Sequence, residues 1–180
     1  FVNEISRPDI PINGIAFDSR IVESGDLFFA VEGENFDGHD FISDAIKRGA
    51  SAVIGRKKPP SLEVPYLICD NPRKEMAYIS AEFYGNPAKD LTVIGVTGTD
   101  GKTTTVNLIF RMLVENNIPA GMISTVNAVI GDEVLDTGFH VTTPESPQIQ
   151  KYLKMMIDKG LTHVVLEATS HGLVQERVTA

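Results

Sequence analysis

Tryptophan is absent and cysteine almost so: the 180 residues contain one thiol, Cys69. A lone thiol closes no internal disulfide, so a disulfide-framed secreted scaffold is excluded and a reducing, cytoplasmic setting is expected. Its apolar neighbours Leu67 and Ile68 predict a buried, inert sulfur. Basic charge is scarce as well. Sixteen Lys and Arg against 24 Asp and Glu leave a net charge of −8 and a pI near 4.9, which argues against a nucleic-acid or anionic-membrane binder. The only basic run, Arg56-Lys57-Lys58, precedes Pro59-Pro60 and reads as a solvated loop. No apolar run approaches a membrane span, so no membrane insertion is expected, and the start is not signal-like. Because the first residue is Phe1, the chain is expected to have lost its true beginning.

What is present is ordinary core material, 42% hydrophobic, enough for one large domain or two small ones. The first half reads as strand Leu27 to Val31, helix Phe41 to Arg48 ending at Gly49, and strands Ala52 to Ile54 and Tyr66 to Cys69. A helix opened by Pro72, with Met76, Ile79 and Phe83 or Tyr84 on one side, stops at Gly85-Asn86-Pro87. That stop suggests two domains, 1–88 and 89–180. The second half alternates strand and helix: Thr92 to Thr97, Lys102 to about Asn116, Ala120 to Ser124, Pro144 to Lys159 and His163 to Glu167. Alternation of this kind predicts an α/β fold with a parallel sheet, and Ala128 to Ile130 with Glu133 to Leu135 form a small edge hairpin around Gly131-Asp132.

The most informative stretch runs from Thr92 to Thr105. An apolar strand enters the turn Thr97-Gly98-Thr99-Asp100-Gly101, and a helix opens with Lys102-Thr103-Thr104. Glycines let backbone N–H groups approach an anion, the helix N-terminus adds its positive end, and Lys102 supplies a cation for outer phosphates. The Thr103 hydroxyl suits the Mg²⁺ that travels with a nucleotide. The generic pattern G-x-x-x-x-G-K-[ST] has its first glycine where this chain has Val96, and a structural strand-to-helix turn would leave Lys102 to Thr105 unexplained.

Other candidates have two readings each. Glu167 ends the strand His163-Val164-Val165-Leu166, either completing a Mg²⁺ shell with Thr103 or facing water. Thr142-Thr143 precede Pro144 and either cap a helix or face a ligand anion. In the loop 168–177, Arg177 either clamps a carboxylate or lies on the surface. The four histidines, His39, His140, His163 and His171, lack metal-site spacing.

Read in order, Asp18-Ser19-Arg20, Gly25-Asp26-Leu27-Phe28, Asp37-Gly38-His39, Phe83-Tyr84-Gly85, Gly98 to Thr104, Thr142-Thr143-Pro144 and Glu167 to Arg177 resemble the Mur ligase family of peptidoglycan synthesis. The resemblance spans essentially the whole chain. It is closest to the MurE branch, which adds the third stem-peptide amino acid to UDP-N-acetylmuramoyl-L-alanyl-D-glutamate. The resemblance implies a small N-terminal UDP-binding domain and the first part of an ATP-binding domain. It further implies an ATP-dependent ligase that works through an acyl phosphate, as a monomer.

By position, it implies that Ser19 and the loop around His39 hold the UDP part, and that Thr97 to Thr104 hold ATP. Lys102 and Glu167 would be catalytic, Thr103 and Glu167 would hold Mg²⁺, and Thr142, Thr143, Thr169, Gln175 and Arg177 would line the muramoyl-dipeptide site. The family also implies a carbamylated lysine, a metal-binding histidine and a third domain for the incoming amino acid beyond Ala180. Asp100 stands where the family has Asn, and Thr169-Ser170 where it has Ser-Ser. Folylpolyglutamate or cyanophycin synthetase-type ligases, and a nucleotide-binding module without chemistry, are the rival readings.

Overall fold

The computed structural model describes residues 9–33, 36–57, 61–137 and 143–180. Thr142, His140, Lys58 and Pro59-Pro60 therefore lie outside the described residues. The chain divides into two compact units, residues 1–76 and 77–180. The division falls inside a helix, upstream of the turn at Gly85-Asn86-Pro87.

The first unit is a four-stranded, all-parallel sheet in sequential order. Its elements are β1 (Gly14–Ala16), β2 (Asp26–Ala30), α1 (Ile42–Arg48), β3 (Ala52–Gly55) and β4 (Tyr66–Ile68). β1 was not foreseen, because Gly-Ile-Ala carries one strand-favouring side chain where Tyr-Leu-Ile of β4 is a continuous apolar run. β2 carries no polar alternation and is buried along its whole length, as a strand covered on both faces should be. Phe28, Val53, Ile42 and Ala45 form the middle of its core. Cys69 follows β4 and is half-buried rather than fully so. Burial, with Glu75 and Asp70 nearby, pushes its thiol up to about 11.

Helix α2 (Pro72–Phe83) runs across the division. The second unit then contains β5 (Thr92–Val96), α3 (Lys102–Glu115), β6 (Ala120–Ile123), β7 (Asn127–Ile130), β8 (Glu133–Asp136), α4 (Ser146–Asp158), β9 (His163–Glu167) and α5 (Ser170–Val174). Its sheet has the order β5-β9-β6-β7-β8, with β9 parallel to both neighbours and the β7–β8 hairpin antiparallel at one edge. Side chains of a strand alternate between faces, and the two cores follow this rule. Val164 and Leu166 pack with Ile149, Leu153 and Met156 of α4, whereas Val165 packs with Met122 and with Val106 of α3. Glu167, two residues after Val165, falls on the α3 face.

Two sequence expectations need correction. The stretch after β9, read as a polar loop, contains α5, capped by Thr169, whose hydroxyl accepts the Gly172 N–H at 2.9 Å. Helix α4 begins at Ser146, with Glu145 at the cap position and Pro147 in its first turn, so neither threonine before Pro144 is its cap.

Met156 is fully buried between α4 and the sheet. Met156→Ala should cost about 2–5 kcal/mol, the range for a large-to-small change at a packed site, measured by urea unfolding. Cys69 is predominantly thiol at neutral pH, so iodoacetamide at pH 7.5 should label it at least about tenfold more slowly than a small free thiol.

Candidate functional site

In the first unit the expected ligand loops are built on turns that hold themselves. Asp18 caps the 3₁₀ turn Ser19–Ile21, accepts the Arg20 N–H at 2.9 Å and takes the Arg20 guanidinium through both carboxylate oxygens. The Arg20 side chain thereby holds the Asp18 carboxyl below its usual range. Ser19 is buried within this turn. The second turn, Gly38–Phe41, is capped by Asp37. His39 Nδ1 lies 2.6 Å from Asp37 Oδ1, and its Nε2 faces the backbone N–H groups of Arg56 at 3.0 Å and Lys57 at 3.2 Å. Two donors at Nε2 make it the acceptor, so the proton sits on Nδ1 and is donated to Asp37. Nδ1 is thus used within the turn and Nε2 in tying it to the end of β3. Lys57 completes the cluster, pairing with Asp37 and, at 3.3 Å, with Glu32. Burial pushes the Asp37 carboxyl up, but Lys57 and the His39 amide and ring hold it well below the ordinary carboxylate range.

In the second unit the geometry centres on the C-terminal ends of β5 and β9. Their register pairs Val96 with Glu167, which sets the acid beside the start of the 97–101 loop. Gly98 has φ +150° and Gly101 φ +76°, and a Cβ built at Gly101 would meet nothing within 4 Å. Glycine therefore serves backbone conformation there rather than packing, and leaves the helix entrance open. Gly101 is the cap residue of α3 and offers no side-chain hydrogen bond to its free N–H groups, which suits an anion in that role. Lys102 Nζ donates to the carbonyls of Gly98 and Thr99, both at 3.0 Å, bending back over the loop. Thr97, Thr99, Thr104 and Asp100 are exposed. A groove of about 340 Å³, lined by Thr103, Thr104, Asn107, Leu108 and Arg111, opens along the outer face of α3.

Glu167 is 1% exposed. Its Oε2 accepts the Thr103 hydroxyl at 2.9 Å and the Thr125 backbone N–H at 3.1 Å. A hydroxyl and a buried carboxylate held together are hard oxygen donors of the kind Mg²⁺ takes, so the donor set fits that ion.

Thr143, Thr169, Gln175 and Arg177 also come together. Thr143 Oγ1 lies 3.2 Å from Thr169 Oγ1, within reach of the Glu167 carbonyl and the Thr169 N–H. Arg177 is 8% exposed rather than on the surface. Its guanidinium donates to the Thr143 carbonyl and to Gln175 Oε1, and meets Glu145 at 3.0 Å. The sequence reading passed over Thr125, Thr137 and Glu145. For Ser124-Thr125 the available signal was position, since residues just past a parallel strand's C-terminal end face the ligand crevice. Glu145 adjoins Thr143-Pro144, but nothing in its spacing announced the pairing.

Two family models match the chain: the Mur ligase family catalytic domain over residues 11–84 and the Mur ligase middle domain over 96–180. Among curated proteins, the UDP-N-acetylmuramoyl-L-alanyl-D-glutamate–2,6-diaminopimelate ligases of Geobacillus kaustophilus and Aquifex aeolicus are 40% and 42% identical over 99% and 93% of this chain. The chain spans about a third of their length, 35% and 34%. A solved structure of a ligase of the same name superposes with a TM-score of 0.80 at 30% identity, over 98% of this chain and 36% of that one. A MurF ligase from Thermotoga maritima in complex with ADP gives a TM-score of 0.58 at 29% identity, over 91% and 34%. With both units matched by models of one family and the full span matched by its members, the chain belongs to the Mur ligase family.

Proposed function

We propose that this chain is part of an ATP-dependent ligase that joins an amino acid to UDP-N-acetylmuramoyl-L-alanyl-D-glutamate in peptidoglycan synthesis. The names of the relatives point to 2,6-diaminopimelate as that amino acid. The observation that carries the reading is the Thr103–Glu167 contact at the mouth of the Gly98–Gly101 loop. A nucleotide-binding turn needs an acid at the end of the neighbouring parallel strand, and here it is buried and already paired with the P-loop hydroxyl.

In this reading residues 1–88 form the domain that holds the UDP end, through Ser19 and the turn stapled by His39. Residues 89–180 open the ATP domain. The amides of Thr97 to Thr104 hold the phosphates, and Lys102 leaves its loop carbonyls to meet the outer phosphate. Thr103 and Glu167 hold Mg²⁺, which when bound neutralises charge on the phosphoryl group as it transfers. Thr142, Thr143, Thr169, Gln175 and Arg177 hold the muramoyl dipeptide with its D-glutamyl side-chain carboxylate toward that phosphoryl group. The carboxylate oxygen would take the γ-phosphoryl group of ATP as the bond to the β-phosphate breaks and ADP leaves, and the incoming amine would then displace phosphate from the acyl phosphate, losing a proton, to give the amide. Orientation supplies much of the effect, since phosphoryl transfer is chiefly positioning and electrostatics. The protein acts in the cytoplasm as a monomer.

Two substitutions test these roles in the full-length polypeptide. Lys102→Ala removes a half-exposed cation without touching the core, so the fold should persist while turnover falls by about a hundredfold or more. Near-normal amide formation in a coupled phosphate-release assay would reject the cradle. Arg177→Lys loses the planar fork, and should weaken use of UDP-muramoyl dipeptide by roughly tenfold or more with ATP affinity little changed. Titration calorimetry showing the opposite pattern would move this loop away from the peptide substrate.

A further inference from the structure

The β7–β8 hairpin is an edge addition to a parallel sheet, yet it ends on the site. The last register pair of β7 and β8 joins Asn127 to Asp136, so Thr137, one residue further, overhangs the turn between β6 and β7. Thr137 is buried, and its hydroxyl lies 3.1 Å from the Ser124 carbonyl and 3.0 Å from the Thr125 carbonyl. That turn is closed internally by Ser124, whose Oγ reaches the Asn127 carbonyl at 3.0 Å and the N–H groups of Val126 and Asn127. Ser124 shapes the turn. Thr137 ties it to a different segment. The turn in its place delivers the Thr125 N–H to Glu167 Oε2 at 3.1 Å, on the same oxygen that receives Thr103. Both donors fall on Oε2, which leaves Oε1 as the oxygen for another partner.

We propose that Thr137 is a positioning residue for the nucleotide-bound divalent cation: it clamps the 124–125 turn so that the Thr125 amide fixes the Glu167 carboxylate with Oε1 free to bind metal. A carboxylate that must coordinate an ion needs one oxygen fixed by donors, because partners beyond the ligands set both orientation and affinity. A hydroxyl aimed at two carbonyls supplies this at a distance from the ion, where it touches neither substrate nor metal. This role rests on the nucleotide reading above.

The test uses the full-length polypeptide and Mn²⁺, whose effect on water-proton relaxation reports metal–nucleotide binding without turnover. Thr137→Val removes the hydroxyl at nearly constant shape, and Thr137→Ser keeps it. The Val variant is expected to bind Mn²⁺·ADP about fivefold or more weakly than wild type, to bind ADP in EDTA within about twofold of wild type, and the Ser variant to restore the metal-dependent affinity. Unchanged Mn²⁺·ADP binding in the Val variant overturns the proposal. So does a parallel fall in metal-free ADP binding, which marks a purely structural role, or a Ser variant as weak as Val. Should the Val variant fail to fold, Thr137→Ala replaces it: Ala weak with Ser near wild type supports the role, and Ala equal to Ser overturns it. Wild-type protein that binds Mn²⁺·ADP no better than metal-free ADP would overturn the nucleotide reading itself, and this role with it.

Discussion

A carboxylate that hardly touches water must be held by what surrounds it, and the second unit is arranged about that requirement at Glu167. Stripping water from such a group costs several kcal/mol, while each hydrogen bond to a charged group returns about 1.5–3 kcal/mol. Two neutral donors, Thr103 Oγ1 and the Thr125 N–H, therefore offset part of the cost and leave a demand for positive charge. β9 lies between β5 and β6, so its end faces both the loop that opens α3 and the turn that follows β6. The same strand end supplies the carbonyl that Thr143 reaches, which joins the 143–145 segment to the cluster. One strand terminus thus faces the 97–101 loop and carries both the acid and the carbonyl that Thr143 reaches.

The first unit solves a different problem with a neutral ring. His39 spends one nitrogen as a donor to Asp37 and the other as an acceptor for two backbone amides, joining the turn before α1 to the exit of β3. The ring works as a joint only while it is uncharged, since an added proton at Nε2 would face two N–H groups. Its expected role toward the UDP group therefore runs through the shape of the loop rather than through a free ring nitrogen.

Much of this was legible in the sequence. The segment Lys102 to Asn116 and the apolar run before Glu167 gave their elements almost to the residue: the first places Val106, Ile109, Phe110 and Leu113 at helical spacing toward the sheet, and the second is an unbroken apolar run ended by an acid. Two short elements were not legible. β1 is three residues, and α5 is five residues spelled Ser-His-Gly-Leu-Val, whose cap at Thr169 reads equally as a loop. At the candidate site, motif and strand end singled out Lys102, Thr103 and Glu167, and the structure brings Thr103 and Glu167 into contact. The fates of Glu167 and Arg177 were not legible, because burial and partner choice are tertiary. Arg177 meets Glu145, a residue more than thirty positions earlier, and no local pattern records such a contact. Thr125 acts through its backbone N–H, which any residue but proline would supply, so its identity carried no signal at all.

The strand order β5-β9-β6 bears on how the molecule is made. β5, α3 and β6 are consecutive in the chain, yet β5 and β6 do not pair in the folded sheet, because the place between them is taken by β9, which follows the hairpin and α4. Without β9, the edges of β5 and β6 that it pairs with would carry unpaired N–H and C=O groups, and α3 would lose Val165 from its floor. In the folded unit β9 joins β5 to β6, contributes to the core on both faces and sets Glu167 beside Thr103. The 97–101 loop and the acid that faces it are therefore linked through one strand: the contact between Thr103 and Glu167 is expected only once β9 occupies the middle of β5-β9-β6.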